Sequence, residues 1–315
     1  MNVNQTEPYM HPTFITLDAS SFPHEGPWRV IIHSLVPLAL FAIMLNLGVL
    51  GACVMRRFDK PMVFYIALCV IADTLWVCVI TATFVRGLLG VKRHVYFTEC
   101  LLHVCSINCV GHSQLLIQWM MDVDRYWAIF WPYSYARFMA KKRGMFFLAF
   151  CIISLGIITK LFDGIFASLL YFCKHELIIS EGFCMVGFLL NISCGGKTSS
   201  NLTCSYCDIF FVHIVNHHHH FYLLEDHPHF SSTFSNKALH TCCTQIMVFV
   251  LKVGSRMAFV ISVRLGDHSV SFRLILYILC IFTSPIADPL IYGLRTKEIR
   301  EPLTRLYQRA SKNYL

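Results

Sequence analysis

Six stretches of this chain stay apolar for longer than a surface helix requires. They cover residues 30–54, 61–85, 100–129, 145–172, 238–263 and 272–294, with more polar loops between them. A helix needs roughly 20 mostly apolar residues to cross a bilayer. Inside hydrocarbon every backbone group must find its partner within the protein, so only helices and closed barrels span it. Stretches this long select helices. Composition agrees: 56% of residues are hydrophobic and 14% charged, which excludes an ordinary soluble domain. The formal charge of +8 would suit nucleic acid in a soluble protein. Here it fits inner loops held near anionic membrane lipid, and no nucleic-acid partner is expected.

Between the fourth and sixth stretches a further span is due, and the residues do not supply it. Residues 209–215 are apolar, but Asn216 and His217 to His220 interrupt the run, and Glu225, Asp226, His227 and His229 follow. The histidines invite metal, yet nothing fixes a coordination geometry, so no metal site is assigned.

Two signals fix the orientation. With the N-terminus outside, 15 Lys and Arg side chains fall on the inner side and six on the outer, as the positive-inside rule requires. The sequons beginning at Asn4, Asn191 and Asn201 then all face the side where glycans are added. Six of the 15 cysteines also lie there: Cys100, Cys173, Cys184, Cys194, Cys204 and Cys207. That compartment permits disulfides, though spacing alone leaves their pairing open. Residues 1–29 show no basic start followed by an apolar core, so no cleaved leader is expected. The resulting division is an extracellular segment at 1–29, a transmembrane domain at 30–294, and a cytoplasmic tail at 295–315 with a short amphipathic helix.

Charge within such spans is costly and marks function or pairing. The third span ends on Asp124-Arg125-Tyr126, about 37 Å of helix from Cys100, at the opposite membrane face. Arg125 stays charged at any ordinary pH. Taken alone, the triplet also suits a membrane-edge anchor. Asn46, Asp73 and Asp288 lie inside spans. Lys160 and Asp163 stand three apart on one helix face and are placed to pair. Lys252 and Arg256 fall deep in the sixth span, at a cost of about 2.5–3.5 kcal/mol each on insertion scales.

Four motifs carry a family resemblance. Met121-Asp122-Val123-Asp124-Arg125-Tyr126-Trp127-Ala128-Ile129 is similar to the Met-Ala-Tyr-Asp-Arg-Tyr-Val-Ala-Ile of odorant receptors. Pro61-Met62-Val63-Phe64-Tyr65 resembles their Pro-Met-Tyr-Phe-Phe. Lys237-Ala238-Leu239-His240-Thr241-Cys242 resembles Lys-Ala-Phe-Ser-Thr-Cys. Pro289-Leu290-Ile291-Tyr292-Gly293-Leu294-Arg295 resembles Pro-Ile-Ile-Tyr-Ser-Leu-Arg. The chain thus resembles a rhodopsin-like G-protein-coupled receptor of the odorant family over about residues 30–310, except 208–236. The implied fold is an all-α membrane protein, a seven-transmembrane helix bundle, whose fifth helix the sequence supports poorly.

The resemblance implies the following roles. A small-molecule odorant binds within the bundle, at residues the sequence does not identify, and a heterotrimeric G protein of the stimulatory olfactory type binds the inner face. Arg125 contacts that G protein, Asp124 restrains it at rest, and Tyr126 completes the triplet. Asp288, Pro289 and Tyr292 form the seventh-helix motif. Asn46, Asp73 and Asp288 line a polar pocket that holds either sodium or a hydrogen-bonded network without an ion. Cys100 bonds Cys184 and Cys173 bonds Cys194, leaving Cys204 and Cys207 over. No cofactor and no enzyme activity are implied, and the protein sits in the cell membrane. Besides the weak fifth span, the sixth departs from the family pattern at Lys252, Val253 and Ser255. A non-functional or mis-predicted receptor copy is therefore the alternative. A small transporter or channel would show internal repeats, and a membrane enzyme would show catalytic side chains clustered on helices. Neither feature is present.

Overall fold

A computed structural model of the chain describes residues 12–18, 27–58, 60–89, 92–139, 142–174, 176–180, 182–194, 247–262 and 270–313. The weak fifth stretch, the histidine run, Asn4, Asn201, Cys204, Cys207 and the motif at 237–242 lie outside the described residues.

The long helices follow the apolar stretches. They are α1 (Pro27–Met55), α2 (Pro61–Leu89), α3 (Phe97–Phe130) and α5 (Lys142–Ser168), with the short α4 (Pro132–Met139) between the last two. A loop helix α6 (Val186–Ile192) comes next. Residues 247–262 form α7, and α8 (Val270–Arg295) and the tail helix α9 (Lys297–Asn313) close the chain. Pro27, Pro61 and Pro132 each open a helix, where the missing N–H would have no partner anyway. Among the described residues, five helices are long and apolar enough to cross a membrane: His33–Met55, Pro61–Val85, Phe97–Arg125, Gly144–Ser168 and Ser271–Leu294.

Burial shows which faces meet lipid. On α5, Phe147, Phe150, Leu155, Phe162 and Phe166 point outward, and Phe150 is 70% exposed. A soluble protein could not display such a stripe without aggregating, whereas hydrocarbon accepts it. Inward, two large buried clusters divide the bundle, with a small third of Leu115, Phe249 and Val253 between α3 and residues 247–262. One joins Trp76, Phe84, Ile107, Phe183, Phe259 and Tyr277 near the loop end. The other joins Val49, Tyr65, Cys69, Met120, Met121 and Tyr292 toward the tail end.

To the expected helical bundle the structure adds a three-stranded sheet. Strand β1 (Phe14–Asp18) pairs antiparallel with β2 (Lys92–Tyr96) and parallel with β3 (Ile178–Ile179), in the order β2-β1-β3. Ile15 and Leu17 alternate inward and are buried, the period-two pattern of a half-buried strand. The sheet covers the end of the bundle where α3 begins. There Cys100 bonds Cys184, with Cα atoms 5.5 Å apart, and Cys173 bonds Cys194 at 5.3 Å. Both separations lie in the ordinary range for a disulfide.

The opposite end is held by charge. Arg56 donates to the Glu298 carbonyl at 3.0 Å and pairs with Glu301, while Lys60 pairs with Glu298 at 2.7 Å. The turn between α1 and α2 reaches this geometry through left-handed backbone at Arg57 and Phe58, a conformation uncommon outside glycine. The Lys60 hydrogen bond holds the Glu298 carboxyl below its usual range.

Candidate functional site: a buried polar core and the C-terminal end of α3

The polar residues that stood out in the apolar spans converge. Asn46 of α1, Asp73 of α2 and Asp288 of α8 are all fully or almost fully buried. Asn46 Nδ2 donates to the Ala42 carbonyl at 2.8 Å and to the Pro285 carbonyl at 2.7 Å. Asp73 Oδ1 accepts from Gln114 Nε2 at 2.5 Å and from Ser284 Oγ at 3.0 Å. Ser284 Oγ also lies 3.3 Å from Asp288 Oδ2, and the Cys69 thiol donates to that oxygen at 3.2 Å. One turn further along α8, Tyr292 Oη donates to Gln118 Oε1 at 3.3 Å. Most buried polar groups are paired, and here four helices, α1, α2, α3 and α8, supply each other's partners; among the described residues Asn46 Oδ1 and Asp288 Oδ1 accept no hydrogen bond.

Two residues that the sequence marked only as a cost complete the cluster. Lys252 Nζ forms an ion pair with Asp288 Oδ2 and lies 3.2 Å from Cys69 Sγ. Arg256, one turn along α7, donates to the Gly111 carbonyl at 3.0 Å and to Gln114 Oε1. Its guanidinium carbon stands 4.6 Å from the centre of the Trp76 ring, within cation–π range. Gly111 makes this approach possible: a Cβ there would meet Trp76 Cζ3 at 2.9 Å. Lys160 and Asp163 pair at 2.7 Å on α5.

Toward the C-terminal end of α3, Asp124 accepts a hydrogen bond from Tyr135 Oη at 3.0 Å. The Arg125 guanidinium lies against Met62 Sδ of α2. Trp127 packs on Tyr135 and Phe138 of α4, with ring centres 6.1 and 5.1 Å apart. Burial, reinforced by the neighbouring Asp124 carboxylate, pushes the Tyr135 phenol up. The triplet's carboxylate is thus engaged by α4, and its guanidinium faces α2. Tyr126 sits between Arg125 and Trp127 on the same helix. Asn191 falls on α6.

Sequence reasoning missed an aromatic cluster at the other end. Phe183, next to the disulfide at Cys184, reaches from the loop into the bundle. Its ring is stacked on Tyr277 at 4.5 Å and lies 5.3 Å from Phe84 and 5.4 Å from Phe188. Phe259 of α7 stands 4.9 Å from Tyr277. Above it, a cavity of about 170 Å³ is lined by Leu17, Arg93, Glu99, His103 and Cys184 among others. The signal available in the sequence was the adjacency of Phe183 to Cys184, which ties that ring to the top of α3.

Membrane-length helices, a charged triplet ending α3 and carboxylates buried between α2 and α8 together define a multi-pass membrane receptor of the rhodopsin-like type. The comparisons narrow the class. The family model described as olfactory receptor matches residues 39–310. Human olfactory receptor 6S1 is 25% identical, covering 92% of this chain and 89% of its own length. Human olfactory receptor 1L1 is 24% identical over 94% and 82%, and human olfactory receptor 6N1 is 23% identical over 91% and 93%. The chain belongs to the olfactory receptor family. Membership makes it an odorant-binding receptor that couples to a G protein, and not an enzyme.

Proposed function

We propose that the chain signals through a stimulatory olfactory-type G protein bound at the inner end of α3. Arg125 is the side chain that reaches the G protein, and Asp124 restrains it at rest. The observation that carries this reading is the pairing of Asp124 with Tyr135, which draws the carboxylate toward α4 while Arg125 lies over Met62 at the bundle's edge. Asp288, Pro289 and Tyr292 transmit the movement along α8, since Tyr292 links that helix to α3 through Gln118.

In this reading the N-terminus is extracellular, with glycans on Asn4 and on Asn191 or Asn201. The sheet and the two disulfides then form the outer cap, and the basic inner loops lie on anionic lipid. The odorant binds within the helix bundle, in a mostly apolar site of the kind that small molecules use.

Purification with a stimulatory heterotrimeric G protein tests the proposal. The full chain holds the G protein in the nucleotide-free state, and Arg125→Ala does not, at equal amounts of folded receptor. Equal recovery with both proteins removes Arg125 from the contact.

A further inference from the structure

Cys69, Asp73 and Asp288 bring a thiol and two carboxylates together, with one ligand atom from each lying within 4.8 Å of the others. All three are buried. Two carboxylates in a low-dielectric interior demand positive charge, and a small cation among their oxygens is one way to supply it. The sequence left that choice open between sodium and an ion-free network.

The donors around the cluster decide which chemistry fits. Lys252 Nζ already sits on Asp288 Oδ2 and beside Cys69 Sγ. Asp73 takes its charge compensation through a relay: Gln114 donates its amide N–H to Asp73 at 2.5 Å, and its amide oxygen accepts from Arg256. Two buried carboxylates therefore meet two buried cations, and both cations come from one helix, four residues apart. Lys252 and Arg256 are themselves buried, at 1% and 8% exposure. A free ion added here would raise the charge of a cluster already balanced. It would also face an ammonium a few ångströms away, where Coulomb repulsion is weakly screened.

We infer that Lys252 is a tethered cation that fills the place a free alkali-metal ion would take, so that this pocket does not bind sodium. The residues that line the pocket suit a cation, but the protein supplies its own. As a consequence α7 is held to α2 and α8 by charge, and the strength of that hold does not follow the salt composition outside. The inference stands on the buried geometry and is independent of the signalling roles assigned to Arg125, so a failed coupling experiment leaves it intact.

The test is thermal unfolding of the purified full chain in detergent, titrated with sodium chloride against choline chloride at constant ionic strength. The unsubstituted chain has the same midpoint in both salts. Lys252→Met removes the tethered charge, and its midpoint rises with sodium in a saturating way, as mass action requires for a ligand of the folded state. Adding Asp288→Asn to Lys252→Met abolishes that rise. A saturable, sodium-specific stabilisation of the unsubstituted chain overturns the inference. So does a folded Lys252→Met protein that is indifferent to sodium. If Lys252→Met does not fold, the titration of the unsubstituted chain decides alone.

Discussion

Asn46 Nδ2 donates to the Pro285 carbonyl at 2.7 Å, and Pro289 is the reason that carbonyl is open. In a regular helix the N–H of residue 289 would bond the carbonyl of residue 285. Proline has no N–H, so α8 carries a buried acceptor without its helical donor. A side chain from α1 supplies the missing hydrogen bond, and two helices far apart in sequence become one unit.

Asn46→Ala therefore leaves a buried carbonyl unsatisfied. The expected loss is about 1–3 kcal/mol of unfolding free energy. Asn46→Leu, similar in size and without any donor, gives a comparable loss. Thermal unfolding in detergent checks both, and an unchanged Asn46→Ala midpoint contradicts the role given to this bond.

The disulfide at the start of α3 gives a second prediction. Cys100→Ser and Cys184→Ser each lower stability by the same amount, and the double variant is no worse than either. Partners in one bond are non-additive. Additive losses, measured by thermal unfolding in detergent, would show that the two sulfurs act separately.

Phe183 and Phe150 are the same residue type in opposite environments. Phe183 is 2% exposed among aromatic rings, and Phe150 projects toward lipid. Phe183→Ala should cost about 3–5 kcal/mol, the range for truncating a core phenylalanine. Phe150→Ala should leave the midpoint nearly unchanged. Equal effects would mean that the loop ring is not packed in the bundle.

The charged clamp between α9 and the α1–α2 turn predicts a pH dependence. Glu298 has its pKa depressed by Lys60. A depressed acid contributes stability that is present above its ordinary value, about 4.3, and lost as pH falls through its lower folded value. The tail helix should loosen from the α1–α2 turn only in that acid window. Spin labels on the turn and on α9 would report the separation. Glu298→Gln removes the step, and a step that persists in this variant assigns it elsewhere.

Much of this fold was legible because its physics is local. Apolar length alone marks five of the helices, and prolines mark where several begin. Asn46, Asp73 and Asp288 stood out because a polar group in an apolar run must be satisfied. Their meeting point was harder to read. Lys252 looked like an isolated cost, since its partner Asp288 lies on the next helix and the rotational phase of two helices is not written in either. The sheet was hidden for a related reason. Phe14–Asp18 is a short run in a polar segment, and its partner at Lys92–Tyr96 is distant in sequence. Phe183 was hidden because a loop phenylalanine has no periodicity to give its direction.

The stretch at 208–236 yields a prediction of its own. Its longest largely apolar run, 209–215, is seven residues and includes His213, against the roughly 20 that a span needs, and the other histidines, Glu225 and Asp226 add to the insertion cost. The chain as it stands is expected to be retained in the endoplasmic reticulum. Replacing 208–236 with an intact fifth helix from a relative should restore surface expression. Surface levels like those of an intact relative, without the replacement, would contradict this.

The central claim is that this chain is a receptor whose inner face works through Arg125. The most direct measurement is the odorant-evoked cyclic nucleotide signal of cells carrying the fifth-helix replacement, with and without Arg125→Ala, normalised to receptor at the surface. The account predicts a clear signal with Arg125 and none with Ala, at unchanged surface level. A signal of normal size from the Arg125→Ala receptor would contradict it.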